Sequence, residues 1–251
     1  MLEPIPGEPA GIADCGTERA LVVADYHAGL EVALRRDGVE LRSAAGERRD
    51  ALCSLVDRER PDRVVILGDL ANAIGHPGDE EREELDDLFA ALVERARVTV
   101  AKGNHDGDLE DVVAQLGYEN QVTVTDGPGV RMGEVGFAHG HTWPARECVE
   151  AGTLCVAHEH PQVRLEDEVG GGRTERAWLR GRLNPEPFEG HYGDAVDATG
   201  RLVVFPAFND RVGGTWANEH DGFLSPFLPD GLRDGEAYLL DGTRLGRYDR
   251  L

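Results

Sequence analysis

Three apolar runs in this chain each end in residues able to hold a cation. Ala20-Leu21-Val22-Val23-Ala24 runs into Asp25-Tyr26-His27, and Arg63-Val64-Val65-Ile66-Leu67 runs into Gly68-Asp69. Val98-Thr99-Val100-Ala101 is followed, after Lys102, by Gly103-Asn104-His105-Asp106. Two later segments add His139-Gly140-His141 and His158-Glu159-His160. Carboxylate, imidazole and amide oxygen with no thiolate suit manganese, iron or zinc better than a purely magnesium site. Each piece alone says little, because Asp and His pairs are common on surfaces and Gly-Asp or Gly-Asn is also ordinary turn chemistry. The H-x-H pair is more informative, since histidine is scarce and a frequent ligand. What carries weight is that all five pieces stand at the ends of predicted strands.

The elements that would position these residues follow from periodicity. Continuous apolar runs of this length read as strands buried on both faces. Between Gly46 and Glu59 the residues Ala51, Leu52, Leu55 and Val56 recur at helical spacing, and Pro61 closes that helix. Glu80 to Ala96 repeats the pattern with Leu85, Leu88, Phe89, Leu92 and Val93, behind an acidic first turn that suits a helix dipole. A short helix is expected over Leu109–Leu116. Strand and helix alternating in this way imply parallel strands with crossover helices, whose carboxyl ends are where ligands bind. In a continuing strand, residues i and i+2 share a face, so Asp25 with His27, and His158 with His160, are each expected to grip from one side. Beyond residue 120 the texture changes to short strands, Val122–Val124, Val135–His139, Leu154–His158, Arg176–Leu179 and Leu202–Phe205, expected to be mostly antiparallel. The first fifteen residues read as surface chain or a short edge. With no linker and no repeat, residues 1–251 are expected to form a single mixed α/β domain.

Acidic residues number 48 against 26 basic ones, a net charge of -22, and Lys102 is the lone lysine. The acids are spread along the chain rather than gathered in a tail, the pattern by which halophiles keep proteins soluble through self-repulsion. A salt-adapted host is therefore expected. The same charge opposes nonspecific binding to a polyanion. No apolar run is long enough for a transmembrane helix, and the N-terminus lacks the features of a secretory signal, so the expected location is cytoplasmic with no membrane partner. Four cysteines without a C-x-x-C pair read as buried thiols of a reducing compartment.

The series D-x-H, G-D, G-N-H-D, H and H-x-H, in that order, resembles the calcineurin-like metallophosphoesterases, which share a two-sheet α/β/β/α sandwich. The resemblance implies that Asp25, His27, Asp69 and His160 hold one divalent metal ion. Asp69, Asn104, His139 and His158 would hold the second, with Asp69 bridging and His105 catalytic. Manganese is the implied pair, with iron or zinc as alternatives. Asp25-Tyr26-His27-Ala28-Gly29-Leu30-Glu31, Ala157-His158-Glu159-His160-Pro161 and Phe205-Pro206-Ala207-Phe208-Asn209 further resemble the branch of DNA-ligase-associated bacterial phosphoesterases and their archaeal relatives.

Two departures stand out. Ala157 replaces the usual Gly before His158, and Asn72 stands where many members carry an Asp that orients the catalytic histidine. Gly107 and Asp108 follow the G-N-H segment, unlike the Arg of the protein phosphatases.

The implied activity is phosphodiester hydrolysis on nucleic-acid ends or nucleotides, by a hydroxide bridging the two metals. Two alternatives remain. A phosphomonoesterase would need a cation such as Arg146 or Arg211 at the site. A non-catalytic, metal-bound subunit of a nucleic-acid-processing complex is the other.

Overall fold

The computed structural model describes residues 1–166, 170–219 and 222–251. The first half contains β1 (Leu2–Pro4), β2 (Ala10–Asp14), β3 (Arg19–Ala24), α1 (Leu30–Arg36), α2 (Ala45–Glu59), β4 (Arg63–Leu67), α3 (Asp79–Val93), β5 (Arg97–Ala101), α4 (Leu109–Leu116) and β6 (Val122–Thr125). Its six strands form one sheet in chain order, with β3 to β6 parallel and β1 and β2 added antiparallel at one edge. The second half contains β7 (Val130–Met132), β8 (Val135–Phe137), α5 (Arg146–Val149), β9 (Thr153–Val156), β10 (Gln162–Glu166), β11 (Gly172–Leu183), α6 (Pro185–Tyr192), β12 (Arg201–Val204), β13 (Leu232–Leu239) and β14 (Arg244–Arg247). These make a second sheet in the order β14-β13-β11-β12-β9-β8-β7, with β10 paired to β11.

Alternation along the central strands sorts their side chains into three apolar layers. Leu21 and Val23 of β3, with Val64 and Ile66 of β4, pack under helices α2, α3 and α4. Their neighbours Ala20, Val22, Ala24, Val65 and Leu67 face the second sheet, where they meet Phe137, Cys155, Trp178, Val203 and Phe205. Leu154, Val156, Leu202 and Val204 point the other way, into a core completed by Phe188 of α6 and by Phe227. The result is the α/β/β/α sandwich. The four cysteines are free and buried.

The second sheet departs from expectation at its centre, where β8, β9 and β12 run parallel. That arrangement brings the ends of β8 and β9, followed by His139 and His158, to the same edge as the first-sheet strand ends. The Asn184–Asp197 segment supplies α6, which closes the third core rather than covering the site.

A buried ion network ties the helices to the Asp25–His27 turn. Arg48 of α2 donates to both oxygens of Glu31 at 3.0 and 3.2 Å, and to Glu84 of α3 at 2.6 Å. Its guanidinium also lies 5.0 Å from the Tyr26 ring centroid. Burial would raise the Glu31 carboxyl, but Arg48 outweighs it and holds the group below its ordinary value. The folded chain thus binds this proton less tightly than the unfolded one. The stability contributed is complete above about pH 4.3 and fades as pH falls through the lowered native value. Arg48→Met, which leaves Glu31 with Arg211 alone and takes the cationic partner from Glu84, is expected to cost about 3–5 kcal/mol at pH 7. Chemical denaturation should show that loss shrinking as the pH is lowered.

Candidate metal centre

The residues at the strand ends do not continue their strands. Asp25, His27, Asp69, His158 and His160 all have positive φ, at 53°, 50°, 45°, 71° and 44°. Only Arg60 and Asp234 share that feature among the other described non-glycine residues. Such conformations cost of order 1–3 kcal/mol each and concentrate at functional sites. The expectation that Asp25 with His27, and His158 with His160, act as i and i+2 of a strand is therefore corrected. The backbone twists at each residue, and the two members of the second pair reach different clusters.

Asp25, His27, Asp69 and His160 form one group able to hold a metal ion, with one ligand atom from each within 4.8 Å of the others. Asp69, His139 and His158 form a second such group. Asn104 joins the second, its Oδ1 lying 3.2 Å from His139 Nε2. Asp69 belongs to both. The first group is braced by a main-chain hydrogen bond from His27 N to the Asp69 carbonyl, 2.9 Å, and by the Asn209 side-chain Nδ2 donating to the Tyr26 carbonyl, 3.1 Å.

Outer partners aim the imidazoles. A carbonyl can only accept, so His139 Nδ1–H donates to Leu67, 2.9 Å, and His160 Nδ1–H donates to Gly213, 2.8 Å, leaving each Nε2 turned inward. His105 is fixed in the same way by the main-chain carbonyl of Asn72. The orienting acceptor is therefore backbone, and the Asp-to-Asn change at 72 removes nothing this contact requires. His27 breaks the pattern, since its buried Nδ1 has no partner.

Three buried acids shape the site without entering it; Asp106 and Glu159 stand inside the motifs that mark it, whereas Glu81 gave no signal among 48 acidic residues. Asp106 accepts from Ala71 N and Gly103 N, at 3.0 and 2.8 Å. Glu81 accepts from Asn72 N and Ala73 N, at 2.7 and 2.9 Å. Glu159, between the two ligand-type histidines, accepts from Leu224 N at 3.0 Å and from Ser225 N at 2.7 Å. His141 stands beside His139, ring centroids 5.4 Å apart, with its buried Nδ1 unpartnered. His76 is exposed near Asp108. His191 is exposed and stacks on Trp143, ring centroids 4.3 Å apart. His220 lies outside the described residues.

The donor set fits a metal on two observations. Both oxygens of fully buried Asp25 lack a hydrogen bond, an arrangement that burial makes costly unless a cation compensates it. Imidazole nitrogens also face one another, His27 Nε2 to His160 Nε2 at 3.4 Å and His158 Nδ1 to His139 Nε2 at 3.1 Å. Protons compete for the same places. Burial pushes His27 and His158 down to about 4. Burial acts likewise on His139 and His160, but Asp69 and Asp25 overturn it and raise both to about 9. His139, with His27 and the His105 N–H, holds Asp69 well below the carboxylate range despite its burial.

Paired clusters of carboxylates and imidazoles that could hold metal ions share one carboxylate at the rim of a two-sheet sandwich. The chain belongs to the calcineurin-like phosphoesterase family, whose model matches residues 18–195. It is accordingly a hydrolase acting on phosphate esters. A solved structure of similar fold is the nuclease MPE of Pseudomonas putida, at 16% identity and a TM-score of 0.54, over 96% of this chain and 98% of that one. YfcE, a phosphoesterase from E. coli, matches at 14% identity and a TM-score of 0.39, over 90% of this chain and 96% of its own. No curated protein matches the sequence.

Two outcomes are expected. Because His139 and His160 carry protons at neutral pH that a cation must displace, apparent metal affinity should rise with pH between about 6 and 9. Calorimetric titration with manganese at several pH values would measure this, and a flat profile would contradict it. A Cβ at Gly103 would lie 2.2 Å from Asp69 Oδ1 and 2.4 Å from Asp69 N. Gly103→Ala should therefore displace Asp69 and weaken manganese binding by about tenfold or more, the scale of a disturbed ligand surrounding.

Proposed function

We propose that the chain is a phosphodiesterase acting on nucleotides or nucleic-acid ends at a centre of two divalent cations, manganese being the expected pair. Asp25, His27, Asp69 and His160 would hold one ion, and Asp69, Asn104, His139 and His158 the other. The observation that carries this reading is the pair of ligand groups meeting at Asp69, beside an Asp25 carboxylate with no hydrogen bond of its own. Two cations bound there would clamp a phosphoryl group and bring the pKa of a bound water toward ~7.

The chain's own residues would do the rest. His105, held through Nδ1 by Asn72, presents Nε2 3.9 Å from Asp69 Oδ2 and a quarter exposed, placed to carry a proton to the leaving oxygen. Asp69 Oδ1 accepts from His105 N at 3.0 Å, which couples the shared carboxylate to the proton carrier.

A diester is favoured over a monoester because the two arginines offered to a dianionic phosphate are engaged elsewhere. Arg211 is paired with Glu31 at 3.1 Å, and Arg146 with Asp194 and Glu150. A non-catalytic subunit is disfavoured by the presence of every ligand-type residue and of His105. The dispersed charge of -22 supports a salt-adapted protein, so high salt is the condition for assay.

Manganese-loaded protein in high salt should hydrolyse bis-p-nitrophenyl phosphate faster than p-nitrophenyl phosphate. Asp69→Asn should abolish turnover. His105→Ala should lower kcat about 10²- to 10⁴-fold while metal content is retained. A folded, metal-loaded chain that turned over neither ester with manganese, iron or zinc would contradict the reading.

A further inference from the structure

Beside His158 and His160 the surface opens into a cavity of about 420 Å³, walled by Gly213, Gly214, Thr215, Trp216 and Leu224. On so acidic a chain its lining is unusual. Trp216 is 41% exposed and Leu224 61% exposed. Six large apolar residues are exposed among the described ones, and two of these, Met1 and Leu251, are chain ends. Of the remaining four, two flank this one cavity, and a pair of exposed apolar side chains beside a reactive centre points to a ligand.

The cavity is built as one piece with the candidate metal centre. The 213–217 segment is laddered onto the histidine segment by Thr215 N to the Glu159 carbonyl, 2.9 Å, Gln162 N to the Thr215 carbonyl, 2.9 Å, and Ala217 N to the Gln162 carbonyl, 2.8 Å. The Gly213 carbonyl takes the Nδ1–H of His160. A Cβ at Gly214 would lie 2.0 Å from the His160 carbonyl, so only glycine lets this wall lie flush. Buried Glu159 pins both sides, accepting from Thr215 Oγ1 on one and from Leu224 N on the other. Arg164 sits 5.5 Å from the Trp216 ring centroid but is committed to Glu166 at 2.9 Å and Glu219 at 3.8 Å. What the cavity offers is therefore a flat apolar face, with the Glu219 carboxylate on its wall and little free positive charge.

We propose that this cavity receives the nucleobase of a nucleoside phosphodiester, stacked on Trp216 and touching Leu224, while the phosphate lies at the His158–His160 cluster. The assignment rests on the phosphodiesterase reading and names its substrate class. A chain of charge -22 gains nothing from long-range attraction to a polyanion, and salt screens what little a local arginine supplies. Base stacking on an aromatic ring needs no net charge and tolerates any base.

The test compares two diesters with the same leaving group, thymidine 5′-p-nitrophenyl phosphate and methyl p-nitrophenyl phosphate. In Trp216→Ala the preference for the thymidine ester, as a ratio of kcat/KM values, should fall about 5- to 150-fold, the span of base–aromatic stacking. The fall should appear mainly in KM, and Trp216→Phe should restore most of it. Leu224→Ala, at an exposed position, should lower the same ratio by a smaller factor. As a readout independent of turnover, thymidine 5′-monophosphate should quench the indole fluorescence of zinc-loaded protein and not that of Trp216→Phe. An unchanged ratio in Trp216→Ala, or a quench that persists in Trp216→Phe, overturns the assignment. A quench lost in Trp216→Phe, in a protein that hydrolyses neither ester, supports the base site and overturns the phosphodiesterase reading instead.

Discussion

The carboxylate of Asp69 is the point on which both halves of the molecule converge. It lies 3.4 Å from His139 Nε2, at the end of the second sheet, and 3.8 Å from His27 Nε2, at the end of the first. A buried negative charge in that position is tolerable only if cationic groups surround it on several sides. The two sheets therefore have to meet with their strand ends in register. The parallel centre of the second sheet, β8-β9-β12, meets that requirement, because it delivers His139 and His158 to the edge that β3, β4 and β5 already define.

The strained turns and the buried acids belong to the same design. A side chain leaving a strand in the ordinary way points into one of the apolar layers, and positive φ turns it toward the rim instead. Such turns persist only when their surroundings over-determine them. Asn209 grips the Tyr26 carbonyl, Asp106 holds Ala71 and Gly103, and Glu159 gathers Thr215, Leu224 and Ser225 beneath His158 and His160. The Arg48–Glu31–Glu84 network does similar work one layer further out, fastening three helices to the first turn.

Much of this was legible in the sequence. The apolar runs ending at Asp25, Asp69 and Asn104 marked the strands and the place of the candidate site, because a strand buried on both faces must be continuous and its polar end must lie at a rim. The roles of the scaffolding acids were less legible. Asp106 and Glu159 lie inside the quoted motifs but nothing in their spacing says what they hold, and Glu81 is chemically identical to dozens of surface carboxylates until folding distinguishes it. The long strand Gly172–Leu183 was only partly recognised, since its outer half is exposed and reads as polar chain. The left-handed turns were not legible because Asp and His, though they adopt positive φ more often than most non-glycine residues, do so in a small minority of positions. The role of Phe205 to Asn209 became clear only when Asn209 proved to brace the Asp25 turn from 183 residues away.

The account stands or falls on whether two cations share Asp69. Anomalous diffraction at the manganese edge, from crystals grown with manganese, measures this directly. The account predicts two neighbouring peaks, one against Asp25, His27 and His160 and one against Asn104, His139 and His158, with Asp69 touching both. A single peak, or peaks that leave Asp69 uncoordinated, would contradict it.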